Sequence, residues 1–166
     1  DQVDLTPVQP LLKTSLTRAA LMVGKEVMPD IDVDDMESYI KRNAQFMRQR
    51  YPDELNGGPD AAIPRMNTFI YLDALKIHYE ANPNAVAESC FLPYIIKTRE
   101  GTCSSMPIFY LAIAEQLGLP VSLVDTPDHF FLRWEDAKYR ENIECTGGGA
   151  EETDEGYIRN LEIPMH

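Results

Sequence analysis

The chain is short of positive charge. Its 166 residues hold 15 Lys and Arg against 27 Asp and Glu, a formal net charge of −12. No Lys/Arg cluster occurs in it. Nucleic acid and anionic membrane surfaces both need a cationic face, so neither is expected as a partner. No apolar run approaches the ~18 residues of a membrane span. Cysteine is scarce too, with Cys90, Cys103 and Cys145 the only three. An odd count cannot close into a full set of intrachain disulfides, and without a CxxC pair no structural zinc site is expected. The segment Asp30-Ile-Asp-Val-Asp34 starts like an EF-hand loop. Asp35 stands where that loop needs Gly, and Lys41 stands where it needs Glu, which excludes calcium there. An acidic helix N-terminus accounts for those carboxylates without a metal. No cofactor and no metal are therefore expected.

What is present fits an ordinary globular domain. Hydrophobic residues make up 44% and charged residues 25%, and a chain of this length buries roughly two-thirds of its unfolded surface. The first residue is Asp1 rather than Met, and Ile163-Pro-Met-His166 carries no stop signal of its own. The expectation is one domain over 1–166, possible as part of a longer chain. Exported and cytoplasmic residence both stay open, because free thiols argue weakly against export.

The first hundred residues read as helices. Leu12, Leu16, Ala19, Ala20, Val23 and Val27 recur at helical spacing up to Pro29. Met36, Tyr39, Ile40 and Met47 form a second stripe. Met66, Phe69, Ile70, Ala74 and Ile77 form a third, closing near Asn82-Pro83 and carrying His78. Asn56-Gly-Gly-Pro-Asp60 separates these two as a loop. A short fourth helix covers Phe91 to Thr98. These stripes are core faces.

The character changes at Gly101. Residues 103–117 form an apolar helix closed by Gly118. Val121–Val124, Phe130–Trp134 and Tyr139–Ile143 are strand-like, Gly147 to Glu152 reads as a flexible acidic loop, and a last short helix lies near Thr153 to Leu161. Helices followed by a helix packed on a small antiparallel sheet define an α+β fold, with 1–99 as helical lead-in and 100–166 as catalytic helix plus sheet.

Cys103 falls at the start of that helix. With Ser104 as N-cap, Pro107 sits at N3, where its missing N–H costs no helical bond. The positive end of a helix dipole favours thiolate, and the amides of the first turn, with Thr102 and Ser104 in support, suit an oxyanion. A nucleophile needs a base. His166 is terminal and His78 lies beside an apolar stripe, which leaves His129 at the start of a strand. Pairing Trp134 with Tyr139 across the loop Glu135–Lys138 sets Glu144 directly opposite His129, close enough to orient the imidazole. Phe130, Leu132, Trp134, Tyr139 and Ile143 then share a core face. Arg133, Arg140 and Asn142 share the polar face of His129 and Glu144. Cys90 and Cys145 are expected to be packing residues.

The run Arg99-Glu-Gly-Thr-Cys103-Ser-Ser-Met-Pro107, with Tyr110-Leu-Ala and Leu117-Gly-Leu-Pro120, resembles the bacterial transglutaminase-like proteins related to the SirB1 N-terminal domain. So do Pro127-Asp-His129-Phe-Phe-Leu-Arg133 and Asn142-Ile-Glu144-Cys-Thr-Gly-Gly148. The resemblance covers about residues 90 to 149. It implies a papain-like (cysteine proteinase) transglutaminase-like core, with Cys103 as nucleophile, His129 as base and Glu144 as orienting acid. It implies a cysteine acyl hydrolase or acyltransferase acting on an amide of a peptide or protein through a thioester, without a cofactor. Asp is usual where Glu144 stands, so this chain departs from the pattern by one methylene. The alternative is a non-catalytic module that retains the fold and binds a peptide or partner domain. Residues 135–162 carry nine acids and three bases, so an acidic rim and a neutral or cationic substrate are expected.

Overall fold

The computed structural model describes residues 15–80, 86–126, 129–148 and 150–152. Leu12, the expected helix end at Asn82-Pro83 and the last helix near Thr153 to Leu161 lie outside the described residues.

Helix α1 is Leu16–Val27. The Ser15 hydroxyl caps it, accepting from the Arg18 N–H at 3.2 Å. Glu115, far along the chain, adds its carboxylate. It accepts from Leu16 N at 2.7 Å, Thr17 N at 3.1 Å and Thr17 Oγ1 at 2.8 Å, and an anion is favoured at a helix N-terminus. Helix α2 is Val33–Arg50, capped by Asp32, which accepts from Asp35 N at 3.0 Å. Capping is the work of the carboxylate cluster that imitates a calcium loop. Arg18 joins the two helices through Asp34 at 2.8 Å and Glu37 at 2.9 Å.

The third stripe keeps most of its buried face, although Ala74 is exposed, and changes its backbone. Short α3 (Pro52–Leu55) precedes α4 (Pro59–Asn67), which runs into a π-helical turn at Thr68–Asp73. Pro64 lies inside α4 and cannot donate a helical bond. The helical run ends at Asp73, earlier than expected. Lys76 turns the chain with φ 53°, and His78–Tyr79 form β1, parallel to β2 at Glu100–Gly101. His78 is thus an exposed strand residue, not a helical one. Phe69, Ile70 and Ile77 stay at most 4% exposed, so their periodicity reports burial correctly while the helix itself stops.

Helix α5 (Leu92–Thr98) follows a 3-10 turn at Ala87–Cys90. Helix α6 (Ser105–Leu117) ends at Gly118 in the left-handed region, as expected. From Ser105 to Ala114 it is largely apolar and, Ile108 aside, buried, while Glu115 in its last turn is exposed. Phe109, Tyr110, Ala112, Ile113 and Ala114 are at most 1% exposed. One side of α6 packs on α1, α2 and α5. The other packs on the sheet and on the 3-10 turn Cys145–Gly147.

The sheet is an antiparallel meander of β3 (Val121–Thr126), β4 (His129–Glu135), β5 (Arg140–Glu144) and β6 (Ala150–Glu152). Strand β6 replaces the expected flexible loop over 150–152, because its backbone pairs with Asn142–Glu144. The β4–β5 register also differs from expectation. Glu135 pairs with Arg140 and Leu132 with Ile143, so the hairpin loop is 136–139 and the pairing has slipped by two residues. Asp136 is the cause. Its Oδ1 accepts from Lys138 N at 2.7 Å and Tyr139 N at 2.9 Å, and its Oδ2 accepts from Trp134 Nε1 at 2.9 Å. This Asx-type turn draws Tyr139 out of the core into the loop. An even slip keeps every side chain on its expected face. Leu132, Trp134 and Ile143 are buried, and Phe130 is half-buried. The opposite face is less polar than its sequence suggests. Phe131 and Asn142 are buried there, and Arg133 lies over the Phe131 ring while donating to Asn142 Oδ1 at 2.8 Å.

Candidate active site

The first turn of α6 is built by Thr102, not Ser104. The Thr102 carbonyl accepts from Met106 N at 3.1 Å. Its hydroxyl faces Ser104 N at 3.3 Å and Ser105 N at 3.4 Å, while Ser105 Oγ accepts from Thr102 N at 2.9 Å. This is a reciprocal capping box with Ser in the place of the usual Glu or Gln. Ser104 has helical dihedrals and no capping bond of its own. The T-x-x-S spacing carried this signal in the sequence. Cys103 therefore stands in the turn that leads into α6, two residues before Ser105, half-buried with a free thiol. Gly101 lets the chain enter close to the core. A Cβ there would meet Met106 Cγ at 2.4 Å and Ile95 Cδ1 at 2.6 Å.

His129 opens β4, and Glu144 ends β5. His129 Nε2 lies 2.5 Å from Glu144 Oε2, with the two side chains 15% and 18% exposed. The expected pair forms by another geometry. In the observed register Glu144 is diagonal to His129 rather than opposite, and its long side chain crosses the gap. Its second oxygen, Oε1, accepts from Thr146 N at 3.1 Å and Thr146 Oγ1 at 2.7 Å. Sequence reasoning missed Thr146, because the assumed register gave that residue no part. Helix α6, whose leading turn holds Cys103, packs against β4 and against the turn that follows Glu144. The structure thus joins two of the three expected residues by a hydrogen bond and sets the third on a neighbouring element.

Burial works to raise the Glu144 carboxyl, but hydrogen bonds from His129 and from the Thr146 hydroxyl and amide outweigh it and hold it below the ordinary value. Cys145 is the opposite case. Burial, with the Glu144 charge adding to it, outweighs the nearby Tyr71 hydroxyl and pushes the thiol up to about 12. Cys145 is fully buried, as expected of a packing residue, whereas Cys90 is exposed and corrects that expectation. Among the described residues no group of three His, Cys, Asp or Glu is arranged to hold a metal ion. No helix among them is long and apolar enough to cross a membrane.

A free cysteine next to a helix start and a strand histidine held by a carboxylate are groups that covalent acyl chemistry uses. Comparison with known proteins places it in context. The chain is similar to human F-box only protein 21, with 38% identity over 72 residues, 43% of this chain and 11% of that protein. The mouse F-box only protein 21 is 33% identical over 66 residues, 40% of this chain and 10% of that one. A UPF0162 protein of Xylella fastidiosa (strain 9a5c) is 22% identical over 120 residues, 71% of this chain and 41% of its own length. The chain thus spans about a tenth of the first relatives' length and well under half of the bacterial one. No solved structure matches significantly. The family model that matches, over residues 34–160, is described as the transglutaminase-like superfamily, and its span takes in Cys103, His129 and Glu144. On that match, and with its mixed helical and antiparallel architecture, the chain belongs to the transglutaminase-like superfamily and has the papain-like α+β core.

Proposed function

We propose that the protein is a cysteine acyl hydrolase or acyltransferase acting on an amide of a peptide or protein, with Cys103 as nucleophile, His129 as base and Glu144 as orienting acid. The observation that carries this reading is the 2.5 Å bond between His129 Nε2 and Glu144 Oε2, with helix α6, whose leading turn holds Cys103, packed on β4 and on the turn after Glu144. The superfamily generally carries out cysteine-based acyl transfer or hydrolysis. With Nε2 engaged by Glu144, Nδ1 is the nitrogen that takes the thiol proton. The thiolate sulfur bonds to the amide carbon, and the positive end of α6, with Thr102 and Ser104 in support, stabilises the developing oxyanion. The C–N bond then breaks, and the leaving amine takes a proton from the imidazolium. Water or an amine, giving its proton back to His129, attacks the thioester and releases the thiolate. Within the superfamily, the motifs around Cys103, His129 and Glu144 favour the SirB1 N-terminal-like branch. The net charge of −6 over residues 135–162 favours a neutral or cationic substrate over an anionic one.

A second reading, a peptide- or protein-binding module without turnover, draws on the small share that the matched segment makes of the F-box only relatives. One experiment separates the two. An amide-mimicking acyl probe is expected to form a thioester on Cys103, trapped and located by mass spectrometry. The label is expected to vanish in Cys103→Ala and to fall at least tenfold in His129→Ala. Equal labelling of Cys103→Ala would sink the enzymatic reading and leave the module.

A further inference from the structure

We infer that Thr146 is a positioning residue of this site, the one whose hydroxyl aims the Glu144 carboxylate at His129. The inference rests on the triad proposed above, and it starts from the sheet register. Leu132 faces Ile143 and Arg133 faces Asn142, so continuing the ladder puts residue 146, not 144, across from His129. The ladder does not continue. Strand β5 stops at Glu144, and the chain turns through the 3-10 segment Cys145–Gly147. Glu144 must therefore reach His129 along a diagonal, where Cα atoms are typically ~7–8 Å apart.

A glutamate that reaches so far has three side-chain torsions to fix, and the two oxygens divide that work. Oε2 meets His129 Nε2, and Oε1 accepts twice from Thr146, at 3.1 Å from the amide and 2.7 Å from the hydroxyl. The amide bond caps the turn, an ordinary role for an acceptor at a 3-10 start. The hydroxyl bond is shorter and comes from a side chain. It fixes the rotation of the carboxylate about its last bond, and so fixes where Oε2 points. The turn that supplies the hydroxyl is itself anchored. Cys145 is fully buried beneath it, and Gly148 closes it in the left-handed region. The rigid turn explains how Glu serves in a superfamily site where Asp is usual. The extra methylene is taken up by the diagonal, and Thr146 removes the freedom that comes with it.

The test compares Thr146→Val, which keeps the shape and the backbone amide, with Thr146→Ser, which keeps the hydroxyl. The Glu144 carboxyl is titrated by carbon NMR, and Cys103 alkylation by iodoacetamide is timed at pH 7. Thr146→Val is expected to raise the Glu144 titration midpoint and to slow alkylation on the order of tenfold, the usual worth of one charge-assisted hydrogen bond. Thr146→Ser is expected to stay within about twofold of the parent. Melting temperatures check folding, and Thr146→Ala replaces the valine variant if that one misfolds. An unmoved Glu144 midpoint in the valine or alanine variant overturns the inference, as does a serine variant as slow as valine. His129→Ala is run beside them. Unchanged alkylation there refutes the triad, while the Glu144 midpoint still decides Thr146.

Discussion

Glu144→Asp separates the length of the acid from its charge. Removing one methylene shortens the side chain by about 1.5 Å. A carboxylate now 2.5 Å from His129 Nε2 withdraws to about 4 Å, beyond hydrogen-bond reach. Aspartate caps a turn as well as glutamate does, so the segment Cys145–Gly147 is expected to keep its form. What is lost is one charge-assisted bond between side chains 15% and 18% exposed, worth about 1.5–3 kcal/mol. If that energy orients the imidazole, reactivity falls by about 10- to 100-fold. The assay is the rate of Cys103 alkylation by iodoacetamide at pH 7, read by mass spectrometry. A Cys90→Ser background removes the exposed thiol. Glu144→Gln keeps the length but presents an amide N–H group to donors, so it is expected to be as slow as Asp. Both are expected to approach His129→Ala, with melting points lowered by about 3–12 °C, the worth of the lost bond in a chain of this size. Should Asp react within twofold of the parent while His129→Ala is slow, the diagonal reach of Glu144 is not what holds the ring.

Stability is expected to depend on acid pH through the same carboxyl. Its folded value is depressed, so its contribution is complete above the unfolded value of ~4.3 and is lost as pH falls through the folded one. Melting scans from about pH 5 to about pH 3 should therefore show a steeper fall for the parent than for Glu144→Gln. Thiol labelling of the native chain at neutral pH should modify Cys90 and Cys103 and spare Cys145, which reacts only after denaturation; native labelling of Cys145 contradicts its burial. Gly24→Ala places a Cβ 2.4 Å from the Pro93 ring and should cost about 1–3 kcal/mol in urea unfolding, against no change if α1 and α5 are loosely packed. Glu115→Ala removes the carboxylate that holds Leu16, Thr17 and the Thr17 hydroxyl; a loss of about 1–2 kcal/mol is expected, with early exchange of the α1 amides, and unchanged exchange would refute the tether.

The sequence made legible what depends on burial and on local chemistry. Gly118 closes α6 where its position demanded, and Leu132, Trp134 and Ile143 form the inner face of the sheet. Apolar periodicity located the core of the third segment but could not say that α4 widens at Thr68 and stops, because Phe69, Ile70 and Ile77 bury equally well from helix or extended chain. The hairpin register depended on which residue turns the chain. Four-residue loops at 135–138 and 136–139 are equivalent by length, and the side-chain bonds of Asp136 decide between them. The pairing of His129 with Glu144 came out of the wrong register and still holds, because an even slip preserves the face and glutamate is long enough to absorb the displacement. Thr146 was invisible for the converse reason: its part depends on a strand that ends two residues before it would have paired.

Two thiols bear on the choice of nucleophile, Cys103 and Cys145, and physical chemistry separates them. Cys145 is the next residue, yet it is buried among Tyr71, Tyr110 and the core, and its thiol is pushed up to about 12. A thiol that stays protonated at neutral pH and meets no solvent cannot serve as nucleophile. A disulfide between it and Cys103 would first require the turn Cys145–Gly147 to leave the core, which would also withdraw Glu144 from His129. Cys103 has the opposite setting: half-buried, free, and in the turn before a helix whose start is held by the Thr102–Ser105 capping box. Helix α6 is buried over most of its length from Ser105 to Ala114, so the turn that bears the thiol is anchored to the core. Fixed placement of that kind is what a covalent acyl mechanism needs from a nucleophile that must meet both a base and a substrate carbon. The core residues of α6 therefore belong to the functional argument. A cavity such as Phe109→Ala is expected to lower stability by about 3–5 kcal/mol and, in molecules that remain folded, to slow Cys103 alkylation together with acyl labelling. Loss of stability with unchanged reactivity in the folded fraction would mean that the capping box alone places the thiol.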